Sequence, residues 1–290
     1  MKKYLFVINP IAGDGRAKSV KPLIEEIMTK NQIDYDIVFT KEPKEATSIA
    51  LNYDYDVLVA VGGDGTVNEI AAGIIKRDNK ILAIIPAGTG NDLSRSLDIP
   101  FDLEEAIERI IKGNPREIIV GISNGHSFLN ISSVGFDVET LINHKTIRKK
   151  IKGNLSYVLA VIYTLFKFKK RKVTIDIDGK IFERNLMLLA IGNGKYYGGG
   201  MKIIPNANPY DNYLYVCLVK DVSNLRALTV LPGIFEGNHL KLTKYVETYK
   251  ANNIKISSDT RFFLNIDGEV VEEGNEIFIK TNDNKLSIIL

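Results

Sequence analysis

Val57-Leu58-Val59-Ala60-Val61-Gly62-Gly63-Asp64-Gly65-Thr66-Val67-Asn68-Glu69 decides the fold. Five apolar residues without polar alternation read as a strand buried on both faces, and the glycines after them carry the chain into an apolar-periodic helix over 67–75. The same unit recurs on either side. Tyr4 to Ile8 is another continuous apolar run, halted by Asn9-Pro10, after which Val20, Leu23, Ile24, Ile27 and Met28 recur at helical spacing within Ala17 to Lys30. Strands at 35–39 and 81–85 and helices at 44–52 and 103–112 continue the alternation. This predicts α/β architecture: a three-layer domain over 1–118 with a mostly parallel sheet. Gly113-Asn114-Pro115 stops its last helix.

Beyond residue 118 the texture changes. Val173-Thr174-Ile175-Asp176-Ile177 alternates with period two, Asp178-Gly179 is a hairpin turn, and 186–191 reads as a fully apolar strand. Further strands are expected at 214–219, 254–257, 262–266, 276–280 and 286–289, with one helix near 223–235. The expectation for 119–290 is a mainly antiparallel β-sandwich domain.

Composition sets outer limits. With 45% hydrophobic and 25% charged residues in 290, the chain can bury enough apolar surface to fold, which excludes a disordered tail. Cys217 is the only cysteine and lies in an apolar run, so disulfides and cysteine metal clusters are ruled out. No apolar stretch reaches the ~18 residues of a membrane span, and the cytoplasm is the expected location. The net charge is +3, but Lys145 to Lys172 holds ten basic residues and no acid, leaving 3 − 10 = −7 for the rest. Within that tract Leu155 to Phe166 is an apolar helix flanked by lysines. It suits either a core helix with solvated ends or an approach to an anionic membrane surface. No RNA- or DNA-binding module accompanies it, so nucleic acid is not an expected partner.

Chemistry is expected where three glycine-bearing loops follow parallel strands: Asn9 to Arg16, Gly62 to Thr66, and Pro86 to Asp92. None matches the P-loop or the full dinucleotide fingerprint. A strand ending in Gly-Gly-Asp-Gly-Thr before a helix presents backbone N–H groups at a positive helix end, which suits phosphate. Asp64 in such a site would repel phosphate unless a cation intervenes, which points to Mg²⁺ with a nucleoside triphosphate. Thr66 is equally an N-cap candidate. His126, His144 and His239 are scattered and read as structural.

Gly62-Gly63-Asp64-Gly65-Thr66 with Asn68-Glu69, then Gly88-Thr89-Gly90-Asn91-Asp92, and the opening Asn9-Pro10 with Gly13 resemble the diacylglycerol kinase catalytic-domain family, specifically its soluble bacterial lipid kinases. The likeness extends to sphingosine kinases and, more distantly, NAD kinases. It implies ATP, Mg²⁺ and a lipid hydroxyl acceptor, foremost diacylglycerol, with a peripheral place at the inner face of the membrane and a family tendency to homodimers. ATP contacts are implied at Asn9, Pro10, Ile11, Ala12, Gly13, Thr40, Gly63, Asp64, Gly65, Thr66, Val67, Asn68, Glu69 and Thr89. Asn265-Ile266-Asp267-Gly268-Glu269 resembles the family's acidic segment carrying the general base, which leaves Asp267 and Glu269 as alternatives; bottom-up, Asp267-Gly268 is also an ordinary hairpin turn. The resemblance further implies a structural Mg²⁺ held by Asp211 with Asn208 and Tyr213. Two rival readings are an NAD kinase, sharing the Gly62 to Thr66 loop, and a non-catalytic nucleotide-responsive regulator that binds membranes through Lys145 to Lys172.

Overall fold

The computed structural model describes residues 2–77, 79–151, 154–220, 222–272 and 274–290, and the chain divides into two compact units. The first runs to Val120 and takes up Asn282–Leu290; the second is Gly121–Thr281.

In the first unit, β1 (Tyr4–Ile8), β2 (Tyr35–Phe39), β3 (Val57–Gly62), β4 (Ile81–Pro86) and β5 (Pro115–Ile118) form a sheet with the last strand of the chain, β17 (Leu286–Ile289). The order is β2-β1-β3-β4-β17-β5, parallel except for β5. Helices α1 (Arg16–Ser19), α2 (Lys21–Lys30), α3 (Glu45–Asn52), α4 (Asp64–Ile74), α5 (Asp92–Ser96) and α6 (Leu103–Lys112) connect the strands. All of β1 and β3 is buried, as their unbroken apolar sequence requires, and Phe6, Ile8, Val59 and Val61 pack with Ile24 and Met28 of α2 and Ile107 of α6. The helix expected over 17–30 is two helices. Pro22 enters at the start of α2, where its missing N–H costs nothing, and the helical ladder restarts there. The sequence reading placed 286–289 with the second half, whereas β17 lies between β4 and β5, its Ile289 in the same core as Phe6.

The second unit contains β6 (Gly121–Ser123), β7 (His126–Phe128), β8 (Ile131–Gly135), α7 (Phe136–Ile147), α8 (Asn154–Lys167), β9 (Arg171–Ile177), β10 (Lys180–Gly192), β11 (Leu214–Lys220), α9 (Asn224–Ile234), β12 (Val246–Ala251), β13 (Asn253–Ser257), β14 (Phe263–Ile266), β15 (Glu269–Glu272) and β16 (Glu276–Thr281). The strands make one antiparallel sheet that forks at β10. Its first half pairs with β9, its second half is flanked by β8 and β11, and the register shifts between Leu186 and Leu188. Helices α8 and α9 lie where 155–166 and 223–235 were expected to be helical, and the described residues add α7. The sequence hides α7 because its buried side includes Asp137 and Thr140 beside Phe136 and Val138, which breaks the apolar period.

Candidate active site

Loops after β1, β3 and β4 meet at the carboxyl end of adjacent strands of the first sheet. Asn9 extends β1 by donating its backbone N–H to Val61 O at 3.1 Å, and its Nδ2 donates to Thr66 Oγ1 at 3.2 Å. Gly13 has φ +58, and a methyl there would lie 2.1 Å from Ala87 O, so the first loop touches the third. Backbone N–H groups of Ala87 and Gly88 both donate to Gly62 O, at 2.9 and 3.1 Å. A methyl on Gly88 would lie 2.3 Å from Gly63 Cα; only glycine permits this backbone-on-backbone approach. Asn91, at φ +53, closes the third loop on itself by accepting from Gly88 N–H at 3.1 Å and donating to Gly88 O at 2.9 Å. Asp64 Oδ1 accepts the N–H of Leu93 at 3.1 Å, which ties the start of α4 to α5.

The first turn of α4 therefore sits at the centre of three interlocked loops. Gly63 is its N-cap and no side chain caps it, so the leading N–H groups are open to an anion at the positive end of an 11-residue helix. Thr66 is not the N-cap that the sequence suggested. It is buried in the first turn, its hydroxyl held by Asn9. Gly65 and Thr89 are exposed, while Asp64, Gly63 and Asn68 are half-buried. Val67 is buried in the core, so only its backbone faces this region. Glu69 braces α3: Oε1 accepts from Lys44 N–H at 3.1 Å and its backbone O accepts from Thr47 Oγ1 at 2.9 Å. Thr40 continues β2 by donating its N–H to Ile8 O at 2.9 Å. Ala12 packs on the core below the loop, Pro10 is half-buried and Ile11 is exposed.

In the second unit, Asp267 and Gly268 form a two-residue turn between β14 and β15, at φ +48 and +95, the I′ pattern that suits strand twist. The Asp267 carboxylate accepts three backbone N–H bonds, from Leu129 at 2.7 Å, Asn130 at 3.0 Å and Ile131 at 2.8 Å. Glu269 pairs in register with Ile266 and is exposed. Behind the turn lies a buried polar chain that sequence reasoning missed. Asn265 Nδ2 donates to Ser133 Oγ at 2.9 Å, and the Ser133 hydroxyl donates to Asp137 Oδ2. Burial pushes the Asp137 carboxyl up to about 6, against the hydrogen bond from Ser133. Asp137 Oδ1 has no partner among the described residues. Its only sequence signal is an acid one residue past an apolar position, which surface helices show everywhere.

Asn208, Asp211 and Tyr213 do come together. Asn208 Nδ2 donates to Asp211 Oδ1 at 2.8 Å, Asn208 O accepts from Asp211 N–H at 3.2 Å, and the Tyr215 hydroxyl donates to Asp211 Oδ2. Hydrogen bonds from Tyr215 and then Tyr213 hold the Asp211 carboxyl below the usual range. Lys250 Nζ donates to the Tyr213 hydroxyl at 2.5 Å, so of this cluster only the Asp211 carboxylate and the backbone carbonyls are oxygens of the kind a hard cation such as Mg²⁺ takes. Elsewhere in the unit, α9 and the sheet border an open apolar pocket of about 60 Å³ lined by Phe136, Met187, Ala227, Leu231, Ile234 and Leu242, with His239 as its one imidazole. His239 Nε2 donates to Ile203 O at 2.9 Å, and burial lowers its pKa against the pull of that hydrogen bond. Cys217 is buried and its thiol is pushed up to about 12 by desolvation, so it is inert.

Comparison with known proteins follows this division. Residues 3–122 match the diacylglycerol kinase catalytic domain, and residues 131–283 match the YegS C-terminal NAD kinase beta sandwich-like domain. A diacylglycerol kinase of Bacillus subtilis is 30% identical over 276 residues, covering 93% of this chain and 90% of that protein. One from Staphylococcus saprophyticus is 30% identical, covering 92% and 89%. A crystal structure of a diacylglycerol kinase from Bacillus anthracis superposes with a TM-score of 0.75 at 26% identity, covering 99% of this chain and 96% of that one. An NAD kinase from Archaeoglobus fulgidus in complex with ATP, 14% identical with a TM-score of 0.53, shares the fold over 100% of this chain and 94% of its own. The chain, at this identity over nine-tenths of its length, belongs to the diacylglycerol kinase family.

Proposed function

We propose that the protein is an ATP-dependent lipid kinase that transfers the γ-phosphoryl group to the hydroxyl of diacylglycerol, giving phosphatidic acid and ADP. The observation that supports this best is the interlock of the loops after β1, β3 and β4 around the uncapped start of α4. The Asn9 to Gly13 loop, Gly63 to Asn68 and Thr89 bind the triphosphate, largely through backbone N–H groups and the helix dipole. Thr40 and Glu69 shape this bed from β2 and α3. Asp64 is the carboxylate that would hold Mg²⁺ or its bound water, an ion that neutralises phosphate charge when present. Asp211, with oxygens of Asn208 and Tyr213, would hold a second, structural Mg²⁺.

The acceptor hydroxyl attacks the γ-phosphorus, an O–P bond forms as the bond to ADP breaks, and the hydroxyl proton passes to a carboxylate of the 267–269 turn. Of the two, Glu269 is assigned as base. Asp267 already directs its oxygens at three backbone donors and positions the turn. An acyl chain of the acceptor suits the apolar pocket beside α9. The test is incubation of the purified protein with radiolabelled ATP, Mg²⁺ and dioleoylglycerol in mixed micelles. Labelled phosphatidic acid is expected; NADP formation from NAD without lipid phosphorylation would overturn the assignment.

A further inference from the structure

Asp137 takes no part in the chemistry assigned above, yet it stands at one end of a hydrogen-bond chain whose other end is the turn carrying Glu269. It lies in the first turn of α7 and is 7% exposed; Ser133 is wholly buried and Asn265 is 2% exposed. Beyond the links to Ser133 and Asp137, the Asn265 amide reaches forward as well: its Oδ1 accepts the Gly268 N–H at 2.8 Å. Four residues are thereby joined in the order Asp137, Ser133, Asn265, Gly268. Glu269 follows directly and is exposed, so the backbone path held at Gly268 decides where its carboxylate stands.

A buried carboxyl is a costly way to tie a helix to a sheet, and one of its oxygens, Oδ1, meets no hydrogen-bond donor among the described residues. What a carboxylate supplies that a hydroxyl or amide does not is direction. Ionised, it only accepts, so the Ser133 hydroxyl must donate to it. The Ser133 oxygen then accepts from Asn265 Nδ2, which turns Asn265 Oδ1 toward the Gly268 N–H. Protonated, it can itself donate to Ser133, whose hydroxyl then turns to the amide. The flipped amide would set its NH₂ against the Gly268 N–H, donor facing donor, and the turn would lose this tie.

The elements packed on α7 bring little charge to Asp137. Neither β8, β14 nor the 186–192 half of β10 has an ionisable residue. Glu269 and Glu272 come from β15, and Tyr157, Tyr163 and Lys167 from α8. On α7 itself, Glu139 lies 3.5 Å from Arg171, and His144 and Lys145 are in the last turn. With burial raising the carboxyl to about 6, both of its states are reachable in solution.

We infer that Asp137 is a positioning residue for the reaction proposed above: as a carboxylate it sets the polarity of the Ser133–Asn265 relay and, through the Gly268 N–H, holds the turn from which Glu269 reaches the acceptor hydroxyl. Its part in turnover rests on that reading of Glu269; the relay rests on the hydrogen bonds alone.

The relay can be read without turnover in protein labelled with ¹⁵N-glycine, the Gly268 signal being assigned by its absence in Gly268→Asn, a site where a side chain meets nothing within 4 Å. The Gly268 amide shift is expected to step as pH passes about 6, and the step to vanish in Asp137→Asn. No step in the wild type, or the same step in Asp137→Asn, would overturn the inference. In micelles with ATP, Mg²⁺ and dioleoylglycerol, wild-type kcat is expected to fall about tenfold or more as the carboxyl takes up its proton, with KM for ATP unchanged. Asp137→Asn, the isostere of the protonated acid, should show the low rate on both sides of that step. Ser133→Ala keeps the carboxyl and cuts the relay, and should match it. Wild-type kcat and pH profile in both variants, whatever their stability, would make Asp137 a structural residue and refute the role. Lipid phosphorylation without the Gly268 step sinks this inference alone. The step without any lipid phosphorylation sinks the kinase reading and keeps the tie between Asp137 and the turn.

Discussion

Asp64 Oδ1 accepts the backbone N–H of Leu93 at 3.1 Å, so one carboxylate both opens α4 and anchors α5. In Asp64→Asn the amide oxygen can still accept that N–H, so the fold should survive while the charge that attracts a cation is gone. The Mg²⁺ concentration giving half-maximal rate is expected to rise about 10–100-fold. An unchanged Mg²⁺ requirement in the titration would remove Asp64 from the metal's surroundings.

Gly88 lies against Gly63, where a methyl would come within 2.3 Å of the Gly63 Cα. Backbone cannot yield as a flexible side chain can, so Gly88→Ala must push the third loop off the second. Destabilisation of about 1–3 kcal/mol is expected in urea unfolding, with loss of ATP binding in a filter assay. Wild-type affinity for ATP in this variant would show that the loop interlock is not what binds phosphate.

Asp267 and Glu269 should separate by experiment. Glu269 is exposed and, among the described residues, pairs through its strand backbone, so Glu269→Gln is expected to lower kcat by about 10²–10⁴ with little change in midpoint. Asp267→Asn would turn an amide NH₂ or a weaker acceptor toward three N–H donors and cost about 2–3 kcal/mol of stability. If Asp267→Asn left stability unchanged and abolished turnover while Glu269→Gln kept full activity, the two roles would have to be exchanged.

The buried Asp137 makes stability fall with rising pH. Its carboxyl is raised by desolvation to about 6 when folded and titrates near 3.9 when unfolded, so the folded state holds the extra proton between these values. This contribution is fully present below about 3.9 and is lost as pH rises through about 6, an effect of roughly 3 kcal/mol. Asp137→Asn is expected to flatten the denaturation midpoint between pH 4 and pH 6.5. An identical pH profile in the variant would mean that the carboxyl is ionised throughout.

The pocket beside α9 should set chain length. Ala227→Phe fills space between α9 and Met187. The rate ratio of dioctanoylglycerol to dioleoylglycerol is expected to rise by about 10-fold, through KM for the longer lipid. An unaltered ratio would place the acyl chains elsewhere.

Much of the first unit was legible because parallel strands buried on both faces must be continuous apolar runs, as Tyr4–Ile8 and Val57–Gly62 are. Its three loops were visible as a set: a single glycine after a strand is as often a turn former, but three after neighbouring parallel strands share one sheet edge. What the sequence hid depends on partners distant in the chain. Nothing local tells that Asn9 will hold Thr66, which cancelled the expected cap, or that Pro22 divides one apolar stripe into two helices. The second unit was harder. Strands β6, β7 and β8 are three to five residues long and carry Ser and Gly, and β8 buries Ser132 and Ser133 where alternation would demand apolar residues. The polar chain Asn265–Ser133–Asp137 joins residues 132 positions apart at its first link, a separation no periodicity can report.

The insertion of β17 between β4 and β5 has a price in time. Translation delivers Ile81–Pro86 and Pro115–Ile118 early, but their common neighbour emerges only after all of Gly121–Thr281 has been made. Until then two strand edges of the first unit stand open to any other nascent chain. The half whose strands leave the ribosome first is thus the last able to complete its sheet.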